Sequence, residues 1–490
     1  MLFQPLFTHA RQNPQDVAVV DDKGQYTYQQ LAAAAAGLGM YLSVQTDKPS
    51  VGLLLPPSAA FAASFYGTLL SGKSVVPINY LLGDREIAHV IADSGIDTVI
   101  TIPQLAPRVA NADLKVIDIT QLPQTPPAAL QPQFPSPSPD DPAVLLYTSG
   151  TSGLPKGVIL TYGNLQSDVD AAIEAADLQH GHRFLGVIPL FHAFGLTAGL
   201  LAPVQLGATV VYLARFSPVA MVQAIREHKL SIVFGVPAMF GAVAHLKNAS
   251  GEDFKSIYAL ISGGDALPST LRAGFMARFN LPIYEGYGLS ETSPVVALNT
   301  PQVNRPGSVG KPLGGVEVKI IDDNGNVVGA GREGEVWLKG PMIMKGYHNL
   351  PNETATALTA DGFFKTGDLG KIDDDGFLYI TGRKKDLIIV GGEKAVPREI
   401  EEVLAAHPAV AEAAVVGKKD PSRGEVVIAY VTLKPGQTAT ADQIRTFARD
   451  QNLATFKVPR EVVIVEELPR SPTGKVLKRV LVEKANAAGA

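Results

Sequence analysis

The sequence is 490 residues long, 46% hydrophobic and 18% charged. At roughly 100–200 residues per domain, that is room for two to four units with a substantial core. A net charge of −5 gives no ground for nucleic acid as a partner, and the absence of cysteine excludes disulfides, thiolate metal sites and a cysteine nucleophile. Any thioester chemistry must therefore take its sulfur from a second substrate.

Met1–Pro14 has no basic start followed by an apolar core, so no signal peptide is read and the expected location is cytoplasmic. Tyr28–Tyr41 is Ala-rich and helical in pattern, Val51–Leu55 a short apolar strand, Ala59–Leu70 a second helix, and Ser74–Pro77 a strand. Alternation of this kind predicts an α/β architecture, with helices covering a mostly parallel sheet. Gln121–Pro142 is proline-rich and reads as an extended connection, because proline cannot donate to a ladder.

After the buried-strand pattern Val144–Tyr147 comes YTSGTSGLPKGV, Tyr147–Val158. Its glycines let backbone N–H groups approach an anion, its hydroxyls add donors, and Lys156 adds positive charge. A Walker loop runs Gly-Lys-Ser/Thr straight into a helix. Here the lysine follows Pro155, a strand Gly157–Leu160 is expected next, and the helix starts only near Asn164.

Phe184–Leu213 lacks Asp, Glu, Lys and Arg and is long enough to span a bilayer. It is punctuated by Gly186, Pro189, Gly195, Gly199, Pro203 and Gly207, which predicts several buried short elements and no transmembrane segment. Next comes Tyr284-Glu-Gly-Tyr-Gly-Leu-Ser-Glu-Thr292. Its Gly286 and Gly288 allow tight passage beside a planar ligand, Tyr287 could stack on a base, and Glu291 is a hard oxygen ligand for Mg²⁺. In isolation the segment reads as an ordinary turn.

Past Gly310, short strands such as Val316–Ile321 and Gly334–Leu338 between Asp-Asn-Gly turns predict a smaller β-rich unit. Asp368 in Thr366-Gly-Asp-Leu369 and Arg383 in Ile380-Thr-Gly-Arg383 form a carboxylate–guanidinium set suited to ribose hydroxyls. Asp373–Gly376 and Asp322–Gly325 read as hairpin turns; the former fails the calcium-loop pattern. From Arg383 onward the pattern is that of a compact α+β module: helix 397–406, strands 410–416 and 426–433, helix 440–451 and strand 462–465. This module is net positive and the remainder net negative, which reads either as a solvated surface or as a cationic cap over polyphosphate substrates. Leu468-Pro-Arg-Ser-Pro-Thr-Gly-Lys475 is a loop ending in a lysine.

Taken together, YTSGTSGLPKGV, YGLSETSP, TGDL, GRKKDLIIVGGE and PRSPTGK, in this order from Tyr26 to Lys475, resemble the adenylate-forming superfamily. That superfamily includes acyl-CoA synthetases, peptide-synthetase adenylation domains and luciferases; the acyl-CoA synthetase and fatty-acid–CoA ligase branch is the nearest match. The resemblance implies a large N-terminal domain, 1–384, of α/β subdomains plus a small β-rich subdomain. A small mobile α+β C-terminal domain, 385–490, would follow, hinged at Lys385. It implies ATP, Mg²⁺ and CoA as the reagents.

By the same resemblance, Thr148, Ser149, Gly150, Thr151, Ser152, Gly153 and Lys156 bind the β- and γ-phosphates, and Thr148 and Glu291 bind Mg²⁺. Gly263, Gly264, Asp265, Glu285, Gly286, Tyr287, Gly288 and Ser290 belong to the nucleotide site, with Tyr287 stacked on adenine. Asp368 and Arg383 hold the ribose, Lys475 contacts the carboxylate and the α-phosphate, and Gly391 and Gly392 form the pantetheine tunnel. His192, in Phe191-His-Ala-Phe-Gly195, stands where amino-acid-activating members carry an aspartate. That favours a simple carboxylic acid, with a fatty acid preferred. An acyl carrier protein is the alternative acceptor, a homodimer is left open as an assembly, and a non-catalytic ATP-binding protein is the competing class.

Overall fold

The computed structural model describes all residues except 111–112, 122–133, 149–153, 452, 471–475 and 488–490. The chain forms two compact units. One comprises 1–264, 275–317 and 338–364; the other comprises 265–274, 318–337 and 365–490.

The first unit is built on two sheets. In the seven-stranded sheet, the strands Ser50–Leu54, Ser74–Pro77, Thr98–Thr101, Lys115–Asp118 and Pro142–Thr148 run parallel. Lys156–Thr161 and Gly346–Tyr347 continue it antiparallel, with Gly346–Tyr347 at the edge. The nine-stranded sheet has a parallel centre of Arg183–Gly186, Thr209–Tyr212, Ile232–Gly235, Ala259–Ser262 and Ile283–Glu285. Strands buried on both faces read as continuous apolar runs, as in Val51–Leu55 and Val144–Tyr147, because helices cover parallel sheets.

The expected helices are present. Ala59–Leu70 is capped by the Ser58 hydroxyl, which accepts from the Phe61 N–H, and it is almost wholly buried. Tyr162–Ala175 is capped by Thr161 and starts two residues before the expected Asn164. The apolar stretch 184–213 resolves into strand Arg183–Gly186, a helical run Ala193–Leu206 interrupted by a π-turn at Thr197–Leu201, and strand Thr209–Tyr212. Among the described residues no helix is long and apolar enough to cross a membrane.

The second unit holds a four-stranded sheet of Glu317–Ile321, Gly334–Lys339, Phe364–Ile372 and Leu378–Arg383. Both Asp-rich segments are turns: the Gly325 N–H donates to the Asp322 carbonyl and the Gly376 N–H to the Asp373 carbonyl, each at 3.0 Å. The Asp322 carboxylate is engaged by the Asn324 and Asn326 N–H groups. The same unit contains a five-stranded sheet whose longest pair, Val410–Asp420 with Gly424–Leu433, is antiparallel. The first strand extends four residues beyond the apolar run, because its partner continues to Gly424 and supplies ladder hydrogen bonds past the apolar residues. Helices Pro397–Ala405 and Ala441–Asp450 bury Ile400, Leu404, Ile444 and Ala448 on one side of the sheet. A helix the sequence pattern missed, Lys478–Ala487, buries Leu481 and Ala485 against Tyr430.

Candidate active site

The segment at Tyr147–Val158 joins two antiparallel strands, and Thr148 pairs with Lys156 across the ladder. Ser149, Gly150, Thr151, Ser152 and Gly153 lie outside the described residues. The Lys156 ammonium sits 5.7 Å from the centroid of the Tyr347 ring. The Tyr347 hydroxyl in turn donates to Glu291 Oε1 at 2.9 Å. Burial, followed by the Glu291 charge and this hydrogen bond, pushes the phenol well above its ordinary pKa, so it stays a neutral donor. The backbone carbonyl of Glu291 accepts the Met344 N–H at 2.8 Å. Lys156, expected to bind phosphate, and Glu291, expected to bind Mg²⁺, thus converge from distant motifs on one tyrosine, which the sequence reading did not single out.

Glu291 and Ser290 lie in the short turn Ser290–Thr292 that follows strand Ile283–Gly288. On that strand Glu285 is buried, Tyr287 half-buried, and the Glu285 carbonyl accepts the Asn299 N–H at 2.9 Å. Gly286 and Gly288 pair with the strand Val295–Leu298. A Cβ on Gly288 would stand 1.7 Å from the Pro294 carbonyl oxygen. The protein's own backbone therefore demands that glycine, where the sequence reading had assigned its clearance to a ligand.

Gly263 and Gly264 follow Ala259–Ser262, at the carboxyl end of parallel strands, where open α/β sheets bind ligands. Gly264 has φ +80°. Asp265 is exposed, and its Oδ1 accepts the Ala266 N–H at 2.9 Å. A Cβ on Gly263 would press on the Phe194 ring at 3.1 Å. Phe194 meets Phe234 edge-on with ring centroids 5.7 Å apart, and Phe191 meets Tyr80 at 5.1 Å. Half-buried His192 stands at the N-terminal cap of Ala193–Leu206, its ring 5.6 Å from that of Phe191.

In the second unit Asp368 and Arg383 are directly opposed across a ladder, and Arg383 Nε pairs with Asp368 Oδ1 at 2.9 Å. The carboxylate is buried and the guanidinium partly exposed. Lys385 is on the next turn; partial desolvation, then the Arg383 charge, lowers its ammonium pKa. Gly391 and Gly392 form the tight turn of the hairpin Ile388–Val390/Glu393–Ala395, with φ +61° and +92°. This backbone conformation favours glycine there; a Cβ on either would meet no atom within 4 Å. Gly392 borders an open pocket of about 680 Å³ that includes Lys419 and Arg423. A second pocket, about 370 Å³, gathers Arg423, Arg445, Arg449 and Arg460 around Phe456. No single motif marks it: its arginines come from three elements. Lys475 lies outside the described residues.

Among the described residues no three His, Cys, Asp or Glu side chains cluster as a metal site. Parallel sheets, a hairpin rich in glycine and hydroxyl residues by sequence, its lysine, and a glutamate bound to the tyrosine that lies under that lysine define an α/β enzyme class that handles nucleotide phosphates. The chain belongs to the AMP-binding enzyme family: that family's model matches residues 6–348, and the model of its C-terminal domain matches 399–475. It is an acid–thiol ligase of the adenylate-forming superfamily.

Among its relatives is a long-chain-fatty-acid–CoA ligase of Bacillus subtilis, 35% identical over 478 residues, covering 89% of this chain and 85% of the relative. Among solved structures, ATP-bound MatB from Rhodopseudomonas palustris matches with a TM-score of 0.90 at 28% identity, over 99% of this chain and 98% of that one. The o-succinylbenzoate CoA synthetase of Bacillus subtilis, in complex with ATP and magnesium, matches with a TM-score of 0.86 at 31% identity, over 98% and 99%.

Proposed function

We propose that this chain activates a carboxylic acid in two half-reactions. ATP and the acid give acyl-AMP and pyrophosphate; CoA thiol then displaces AMP to give acyl-CoA. The observation that carries the first half is the convergence of Lys156 and Glu291 on Tyr347. It sets a cation from the phosphate hairpin over the ring of one tyrosine and a carboxylate from a separate motif on that tyrosine's hydroxyl. Thr148 and Glu291 fit Mg²⁺, because both are hard oxygen donors and the ion ordinarily completes its shell with waters and substrate phosphates. When bound, Mg²⁺ neutralises charge on the phosphates.

The chain's own residues do the rest. Lys156 and the hairpin bind the outer phosphates. Gly263–Asp265 and Glu285–Gly288 border the adenine with Tyr287 stacked on it, Ser290 completes that side, and Asp368 and Arg383 hold the ribose. Lys475 offsets the repulsion between the acid carboxylate and the α-phosphate as the two anions meet in line. The module 385–490 turns about Lys385 between the half-reactions, and Gly391 and Gly392 pass the pantetheine.

The aromatic set Phe191, Phe194 and Phe234 supports an apolar acyl group, and we take a fatty acid as the first substrate. His192 stands at its edge. The four arginines around Phe456 support free CoA over a carrier protein, since CoA brings a diphosphate and a further phosphate where a carrier's arm brings one. A panel of fatty, aryl and short acids, read by pyrophosphate release and then by thioester formation, tests the proposal. Release requiring both ATP and one class of acid, with CoA preferred over holo-carrier protein, is the expected result. No acyl-AMP from any acid would refute it.

A further inference from the structure

The helix Tyr162–Ala175 carries a carboxyl group on its buried face. Asp168 is wholly buried there beside Leu165 and Val169. Taking a carboxyl out of water is costly unless hydrogen bonds replace the solvent, and an apolar residue would avoid that cost. Its partners therefore show what it does. Asp168 Oδ1 accepts the backbone N–H of Val295 at 2.8 Å. Oδ2 is buried without a hydrogen-bond partner, and the Thr197 hydroxyl lies against the carboxyl.

Thr197, buried at the start of the π-turn, donates its one hydrogen to the Ser293 carbonyl at 2.9 Å. Toward Asp168 its oxygen can only accept, so a proton on the carboxyl is what completes the set. Burial is the main cause that raises the Asp168 pKa well above the usual carboxylate range, and no cation is among the groups that act on it.

Two side chains from two helical segments thus hold the two backbone groups that flank Pro294. The neighbouring groups are engaged as well. The Pro294 carbonyl accepts the Leu289 N–H at 3.1 Å and the Thr292 hydroxyl, and the Ser293 hydroxyl donates to the Met342 carbonyl at 2.8 Å. Just upstream is Glu291, whose carbonyl is fixed by Met344 and whose carboxylate is fixed by Tyr347.

We infer that Asp168, together with Thr197, is a positioning residue for adenylation: it fixes the Ser293–Val295 backbone and thereby the place of the Glu291 carboxylate beside Tyr347. The inference rests on Glu291 being the metal ligand, as proposed above. Neither Asp168 nor Thr197 touches substrate in this account.

The test is direct metal binding, with Mn²⁺ as the probe ion. Free Mn²⁺ is followed by electron paramagnetic resonance in the presence of enzyme and ATP, for the wild type and for D168A, D168N, T197V and E291Q. D168A and T197V should weaken Mn²⁺ binding about tenfold, the lower end for residues that orient a ligand. ATP binding in chelator should stay within about twofold of the wild type. D168N can accept from Val295 and donate to Thr197, so it should stay within about threefold of the wild type.

Unchanged Mn²⁺ affinity in folded D168A or T197V would reduce the pair to a structural role and overturn the inference. So would D168N as weak as D168A. Should D168A fail to fold, T197V and D168N decide alone. E291Q separates the two claims: weakened binding there with none in T197V overturns only the positioning role. Unchanged binding in E291Q overturns the metal role of Glu291 and this inference with it.

Discussion

Glu291 is kept in place by a phenol that does not ionise in the working pH range. Tyr347→Phe removes that donor and little else. A hydrogen bond to a charged group contributes about 1.5–3 kcal/mol, so kcat/KM for ATP should fall about tenfold or more while the variant still melts as a folded protein. An unchanged value would show that the tyrosine does not serve the site. Asp168 makes a pH prediction. Its folded pKa is raised, so between about pH 4 and that pKa the folded state keeps a proton the unfolded chain has released. Its contribution is then full at low pH and is lost as pH rises, by up to about 1.4 kcal/mol per unit. Denaturant titrations of wild type and Asp168→Asn should diverge upward through this window, the variant gaining relative stability. Parallel curves would mean that the carboxyl is ionised in the fold.

Elements were the most legible level of the sequence. Ala59–Leu70 and Ser74–Pro77 are read with their observed bounds, because each is a mostly apolar stretch bounded by turn residues and their lengths separate the helix from the strand. The strand–loop–strand at Tyr147–Val158 follows from Pro155, which bars a helix directly after the loop. What escaped depends on contacts between distant segments. Tyr347 reaches Glu291 only because its two-residue strand joins the sheet edge beside Lys156–Thr161. Asp168 is spaced like a core position, and nothing local announces the Val295 N–H it meets. Gly288 is a further case, its lack of a side chain explained by the Pro294 carbonyl from the returning strand. Gly288→Ala should therefore destabilise the first unit by at least the 1–3 kcal/mol typical of overpacking. A melt should show it, whereas Gly274→Ala, with open space around it, should be tolerated. Equal melting temperatures would contradict the packing.

For the whole molecule, the family match spans both the nucleotide-handling part and the C-terminal module. The arginine pocket belongs to the module. If it receives the phosphates of CoA, Arg445→Ala with Arg449→Ala should raise KM for CoA about tenfold and leave KM for ATP alone. The effect should shrink in high salt and with dephospho-CoA. A rise shared by ATP, or none, would remove the pocket from the acceptor site. The central claim is that the acid is activated as an adenylate, and one measurement reads it directly. Enzyme is mixed with ATP, Mg²⁺ and an accepted acid in the absence of thiol, quenched, and its nucleotides identified by mass. The account predicts acyl-AMP with an equal amount of pyrophosphate, converted on addition of CoA to acyl-CoA and AMP. ADP and inorganic phosphate in their place, or no acyl-AMP with any acid, would contradict it.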